Sequence, residues 1–180
     1  MDALITNRLI LKKLTPEVYK ELFESGNDTA ITEFFGFTTD EALEKEKDNY
    51  AKGIATFNRS FINFLLQEKE TDSVIGSCGF HTWYPKHHRA EIGYSLYDDA
   101  HKMKGYMTEA LAAVLSYGFA VAKLHRIEAL IAEENIASYK LLQKFGFQYE
   151  GRLREHYNVN GVMEDSILYA LLKHDFQNLK

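Results

Sequence analysis

One cysteine, Cys78, is present among 180 residues. A lone thiol excludes an internal disulfide and any cysteine-rich zinc site, and it suits a reducing, cytoplasmic compartment. Proline is almost missing, at 2 residues, and the 11 glycines are scattered. With no linker, repeat or low-complexity block, a chain of this length reads as one domain. Positive charge is in deficit, since 21 Lys+Arg stand against 26 Asp+Glu and leave −5. Broad nucleic-acid binding needs clustered Lys/Arg to neutralise phosphates, so no nucleic-acid partner is expected. The most apolar stretch, Ala110 to Ala122, falls short of the ~20 residues that cross a bilayer. The charged opening from Met1 to Lys13 lacks a signal-peptide core. No membrane partner is expected.

Apolar content is ample, at 46% hydrophobic and 13% aromatic residues, so a core forms without staples. Leu4 to Leu14 reads as a first strand. Thr15 followed by Pro16 reads as a helix cap with proline at the first position, and Ser25-Gly26-Asn27-Asp28 as that helix's stop. Asp40 to Phe57 reads as a second, charged helix. The period then changes to two: Phe61 to Glu68 and Val74 to Trp83 flank a Glu70-Thr71-Asp72-Ser73 turn. In the next strand, Arg89 to Tyr97, residues Ala90, Ile92, Tyr94 and Leu96 share one face, and Glu91, Gly93 and Ser95 the other. A loop and a helix from about Gly105 to Lys123 follow, then a strand from His125 to Ala132, a helix from Asn135 to Phe145, and two strands around Gly161. The order describes an antiparallel front half joined to a βαβ-type unit. Ligands of such units sit beyond the C-terminal ends of the parallel strands.

Three local signatures lie on this frame. Thr6-Asn7-Arg8-Leu9-Ile10-Leu11-Lys12 opens it. Ala90-Glu91-Ile92-Gly93-Tyr94 leads to Lys104-Gly105-Tyr106-Met107-Thr108-Glu109-Ala110. Asn135-Ile136-Ala137-Ser138 is followed by Lys144-Phe145-Gly146-Phe147 and Glu150-Gly151-Arg152. Together they resemble the GNAT N-acetyltransferase superfamily over residues 7–173, and within it the bacterial branch of ribosomal-protein N-terminal (alanine/serine) acetyltransferases. The resemblance implies a single-domain α/β (α+β) GNAT fold, with a mixed, mostly antiparallel sheet of about seven strands flanked by about four helices. It also implies acetyl-CoA as co-substrate and direct acetyl transfer to a primary amine, first a protein or peptide N-terminus. A small amine (polyamine, amino acid or antibiotic) and a coenzyme A-binding regulatory module without efficient turnover are the alternatives.

A loop entering a helix at Gly105 offers unpaired N–H groups and a positive dipole end, which suit a pyrophosphate. The resemblance places that role on Lys102, Met103, Lys104, Gly105, Tyr106, Met107 and Thr108, although the family prefers small residues where Met103 and Met107 stand. It adds Asn135 and Ser138 as further cofactor contacts, and backbone at Leu96 or Tyr97 as the oxyanion donor. Glu91 is the first candidate for the general base, through water, with His81 and Glu109 behind it. Ser138 is the candidate acid for the departing thiolate, since Leu142 stands where many superfamily members carry tyrosine. Phe35, His81, Trp83 and Tyr157 are available to line the acceptor groove. An α-amine, with pKa ~8 against ~10.4 for lysine, is the easier acceptor to deprotonate. Cys78 reads as a small core residue. His81, His87, His88 and His101 are not completed into a tetrahedral set by spacing, so no metal is expected. Exposed terminal strands are compatible with a homodimer.

Overall fold

The strand and helix periods read above build one eight-stranded sheet with helices on both faces, in a computed structural model that describes residues 3–53 and 60–178. The strands are β1 (Ala3–Ile5), β2 (Leu9–Leu14), β3 (Ser60–Glu68), β4 (Val74–Tyr84), β5 (Arg89–Leu96), β6 (Arg126–Ile131), β7 (Gln148–Val159) and β8 (Val162–Leu172). The helices are α1 (Pro16–Glu24), α2 (Asp28–Phe35), α3 (Asp40–Ala51), α4 (Tyr106–Ala120), α5 (Ile136–Lys144) and α6 (Lys173–Asn178). Spatial order is β1-β2-β3-β4-β5-β6-β8-β7, and every neighbouring pair is antiparallel except β5 with β6.

The counts differ from those expected, and local chemistry explains the differences. The first strand is two, because a turn at Thr6–Arg8 folds Ala3–Ile5 back onto Ile10–Lys12. The Thr6 backbone N–H donates to the Leu9 carbonyl at 3.0 Å, and the Leu9 N–H returns to the Thr6 hydroxyl at 3.0 Å. Helix α2 was not anticipated: Asn27, read as a stop, also starts a helix by accepting the Ala30 N–H at 3.1 Å. Helix α6 was likewise missed. Helix α3 ends at Ala51, and the remainder of the segment expected to be helical lies partly outside the described residues.

β3 shows how the two faces are filled. Ile62, Phe64 and Leu66 join the larger core with Leu111, Leu115 and Leu142 of α4 and α5, whereas Leu65 joins the second core beneath α1–α3. That second core is aromatic, with Tyr19 stacked on Phe23 and on Tyr50 at centroid separations of 4.8 and 5.7 Å. Helix α4 lies close on β4 because Gly118 has no side chain. A Cβ there would stand 2.5 Å from Phe80 Cζ.

One irregularity positions the site. β5 and β6 pair only at Arg89–Arg126, Ala90–Ile127 and Glu91–Glu128. Past Glu91, β5 continues to Leu96 against β4, while β6 continues to Ile131 against β8. The sheet therefore opens into a V between its parallel pair, at the C-terminal ends of both strands.

Candidate active site

On one side of the V, the chain leaves β5 and enters α4. Gly105 occupies the N-cap position at φ +82°, and no side chain among the described residues caps the helix. Helices α1, α2, α3 and α5 are capped by Thr15, Asn27, Thr39 and Asn135. Among the described residues a Cβ on Gly105 would meet only Arg8 Nη2, at 3.6 Å, so the backbone at the helix start is not packed over. Uncapped N–H groups, the helix dipole and open space suit a phosphate. Met103 has φ +60° and is 97% exposed, so its side chain leaves the loop outward. Met107 turns inward against the core. Thr108 is half-buried and Lys104 exposed, while Lys102 is exposed and ion-paired with Asp99.

The loop is braced from behind by residues that sequence spacing did not connect. Glu109 accepts the Arg8 backbone N–H and the Thr6 hydroxyl, both at 2.6 Å, and Arg8 Nε at 2.8 Å. Burial alone would raise the Glu109 pKa, but these donors hold it below the usual carboxylate range. Glu109 is therefore a brace rather than a general base. The Arg8 guanidinium also donates to the Lys104 carbonyl at 3.0 Å and lies 4.3 Å over the Tyr106 ring. The Tyr106 hydroxyl in turn donates to Glu68. Arg8 and Glu109 lie 101 residues apart, so only the family signatures containing them pointed to either.

At the base of the V stands Glu91, 9% exposed. Its β4 partner in register is His81, whose Nε2 comes to 3.7 Å from the carboxylate. Gly93 makes this approach possible, because a Cβ there would stand 2.8 Å from that nitrogen. Burial lowers the His81 pKa, favouring the neutral ring. Burial raises the Glu91 pKa and neighbouring Glu128 raises it further, against the opposing effects of His156 and the Tyr157 hydroxyl. His156 and Tyr157 are adjacent in sequence, yet both act on Glu91. β7 is irregular between Leu153 and Tyr157, where Glu155 has φ +51° and donates its N–H to Asp165 at 2.8 Å. Regular alternation would have sent the two side chains to opposite faces.

The other side of the V is the start of α5. Asn135 Oδ1 accepts the Ser138 N–H at 3.0 Å, and Ser138 is half-buried in the first turn. Leu142 is fully buried, and the Tyr139 hydroxyl is engaged by Gln143 at 2.5 Å. Of the two oxyanion candidates, the Tyr97 N–H is already donated to the Ile75 carbonyl at 3.0 Å. Antiparallel alternation then turns the Leu96 N–H away from β4, toward the opening. Trp83 is half-buried against the core at the end of β4. Phe35 does not line a groove. It is 8% exposed, ringed by Tyr19, Phe23, Phe34 and Phe37 in the aromatic core. Cys78 is fully buried, and burial pushes its thiol pKa well up, which removes it as a nucleophile. No cluster of three His, Cys, Asp or Glu side chains able to hold a metal occurs among the described residues.

A splayed parallel pair with an uncapped glycine-led helix on one side and a buried carboxylate at its base suits an enzyme that holds a phosphate-bearing co-substrate and moves a proton beside it. The chain belongs to the acetyltransferase (GNAT) domain family, which matches residues 8–148. It is 35% identical to the N-acetyltransferase p20 of Bacillus licheniformis, over 98% of this chain and 99% of the relative. It is 34% identical to the N-acetyltransferase YoaA of Bacillus subtilis, over 93% and 95%. A GNAT-family acetyltransferase structure from Bacillus anthracis superposes with TM-score 0.66 at 25% identity, over 96% of this chain and 99% of the other. Shorter matches run to the putative ribosomal N-acetyltransferase YdaF of B. subtilis, 31% identical over 60% of this chain and 58% of the relative, and to spermidine N(1)-acetyltransferase of Escherichia coli, 28% over 50% and 48%. The protein is an acetyl-CoA-dependent N-acyltransferase.

Proposed function

We propose that the acceptor is the α-amine of a protein or peptide N-terminus. The observation that carries this reading is how the acids around the V are paired. Glu128 is paired with Arg89 and Arg126 at 2.8 Å each, Glu150 with Arg126 at 2.7 Å, and Glu133 with Arg152. Among these carboxylates and Glu91, only Glu91 lacks an arginine partner among the described residues. An environment with one un-neutralised carboxylate suits an acceptor with a single reacting amine better than a linear polycation. An α-amine needs little help to lose its proton near neutral pH. The match to the relative named as a ribosomal acetyltransferase agrees with this.

Acetyl-CoA supplies the thioester whose carbonyl carbon the amine attacks. The uncapped N–H groups after Gly105 hold its pyrophosphate, and the Leu96 N–H is aimed to meet the oxygen that gains charge. Glu91, through water, takes the amine proton. Ser138 stands on the α5 side of the opening, where the sulfur departs. A small amine is the second reading, favoured by the spermidine acetyltransferase match.

Mass spectrometry of peptides with varied N-terminal residues, incubated with enzyme and acetyl-CoA beside spermidine, separates the readings. N-terminal acetylation of peptides is expected; acetylation of spermidine with every peptide unmodified overturns it. Glu91→Gln is expected to lower kcat about 100-fold or more. Because the Glu91 pKa is raised, the basic form appears only as pH climbs past the ordinary carboxylate range. Wild-type kcat/KM therefore carries a Glu91 limb through that interval on top of the rise that the amine's own ionisation gives both enzymes, and the variant lacks that limb. Equal profiles remove Glu91 from the mechanism.

A further inference from the structure

Tyr94 stands three residues beyond the last β5–β6 pair, inside the V, on the face of β5 opposite Glu91. Its ring packs against the core beneath α4 and α5. Its hydroxyl is buried and has no hydrogen-bond partner among the described residues. Ser138 faces it, close enough to act on its ionisation but outside hydrogen-bonding geometry. Leaving a buried hydroxyl unpaired costs about 1–3 kcal/mol, a cost that phenylalanine would avoid in the same space. An orphaned buried donor on the strand that walls the opening is a group without its acceptor. On α5, Leu142 is sealed in the core and the Tyr139 hydroxyl accepts from Gln143 on the same helix.

We propose that the Tyr94 hydroxyl is a catalytic hydrogen-bond donor to the thioester sulfur, with Ser138 beside it as the second donor. Glu91 then handles the amine proton on one face of β5, and Tyr94 receives the leaving group on the other. As the acetyl carbon forms its bond to nitrogen, the C–S bond breaks and its electron pair passes to sulfur. A thiol's pKa of ~8.5 lies below a phenol's ~10, so full proton transfer from the phenol is uphill. The hydroxyl instead stabilises the developing thiolate. The thiolate's proton comes from solvent, which receives the one that Glu91 took from the amine. Amine and thioester thus give amide and thiol. Burial keeps the Tyr94 hydroxyl protonated, and so a donor, at neutral pH.

The inference rests on acetyl transfer but not on the identity of the acceptor, since its test reads thiol release with whichever amine is acetylated. Single-turnover acetyl transfer by Tyr94→Phe is expected to be at least tenfold slower, as for loss of one donor to a developing anion. The KM for acetyl-CoA stays within about twofold, because the interaction forms only as charge develops. The melting temperature is unchanged or higher, because an unpaired buried hydroxyl has been removed. Ser138→Ala and the double variant complete a cycle in which the losses are less than additive. An unchanged single-turnover rate overturns the proposal. So does a lower melting temperature, which would show that the hydroxyl is structurally partnered.

Discussion

Two strand-to-helix crossings frame the V, and they treat the first turn of their helices in opposite ways. After β6, Asn135 caps α5 by accepting the Ser138 N–H at 3.0 Å, and the Ile136 N–H that begins the helix donates to the Glu134 carbonyl at 2.8 Å. After β5, Gly105 stands at φ +82° before α4, with no side-chain cap and exposed loop residues around it. The first start is complete within one turn of sequence. The second leaves donors open for a ligand, and it is held by Arg8, Glu109 and Tyr106 instead of by its own residues. A helix start that binds an anion gives up its cap, and rigidity must come from elsewhere in the fold.

Gly105→Glu should break this contrast most severely. It places a negative charge at the anion site and forces a non-glycine residue to φ +82°. Coenzyme A affinity by calorimetry is expected to fall more than about tenfold, with like charge as the larger contribution. Gly105→Ala isolates the backbone cost, about 1–2 kcal/mol, because its Cβ finds open space apart from Arg8 Nη2 at 3.6 Å. Equal affinity of Gly105→Glu and wild type would place the phosphates elsewhere.

Glu109→Gln comes next. The amide keeps one oxygen for the Thr6 and Arg8 donors but loses the charge that pairs with the Arg8 guanidinium at 2.8 Å. Stability should fall by about 1–3 kcal/mol in chemical denaturation, and coenzyme A affinity by a smaller factor than for Gly105→Glu. A variant that lost turnover while keeping both stability and affinity would return Glu109 to the list of bases.

This brace also marks where sequence reading stops. The α4 and α5 starts were legible because glycine, asparagine and the strand before each act over a few residues. The Arg8–Glu109 contact closes a loop of 101 residues, and no local pattern reports it. Ser25-Gly26-Asn27-Asp28 was read as an end when it is also a beginning, because the residues that terminate α1 are those that cap α2. Phe35 looked available for a groove because aromatic side chains suit both cores and rims; its ring contacts place it in the core. His156 is not singled out by the sequence, because the irregularity at Glu155 that brings it to Glu91 beside Tyr157 has no local signature. Tyr94 was read only as a member of the apolar face of its strand, because an unpaired hydroxyl has no signature in sequence.

Asn135→Ala should show the reverse of the Gly105 pattern. Loss of the cap costs about 1 kcal/mol of stability, read in denaturant, while coenzyme A affinity changes by less than about threefold. A large loss of affinity with stability intact would assign the Asn135 amide to the cofactor rather than to its helix.

Lys102→Ala should have the smallest effect, and salt sharpens its reading. Lys102 is exposed and already paired with Asp99, so the ammonium brings little net charge to the loop. Removing it frees Asp99, which becomes an uncompensated negative charge near the anion site. Coenzyme A affinity is expected to fall less than about threefold at 0.15 M salt, and somewhat more at 0.01 M, where the Debye length grows from about 8 to about 30 Å. The double variant Lys102→Ala with Asp99→Asn should return to nearly wild-type affinity. A loss of tenfold or more that Asp99→Asn does not rescue would mean that Lys102 contacts the phosphates directly. The open backbone of α4 would then be only part of the anion site, and its contrast with the capped start of α5 would carry correspondingly less of the binding.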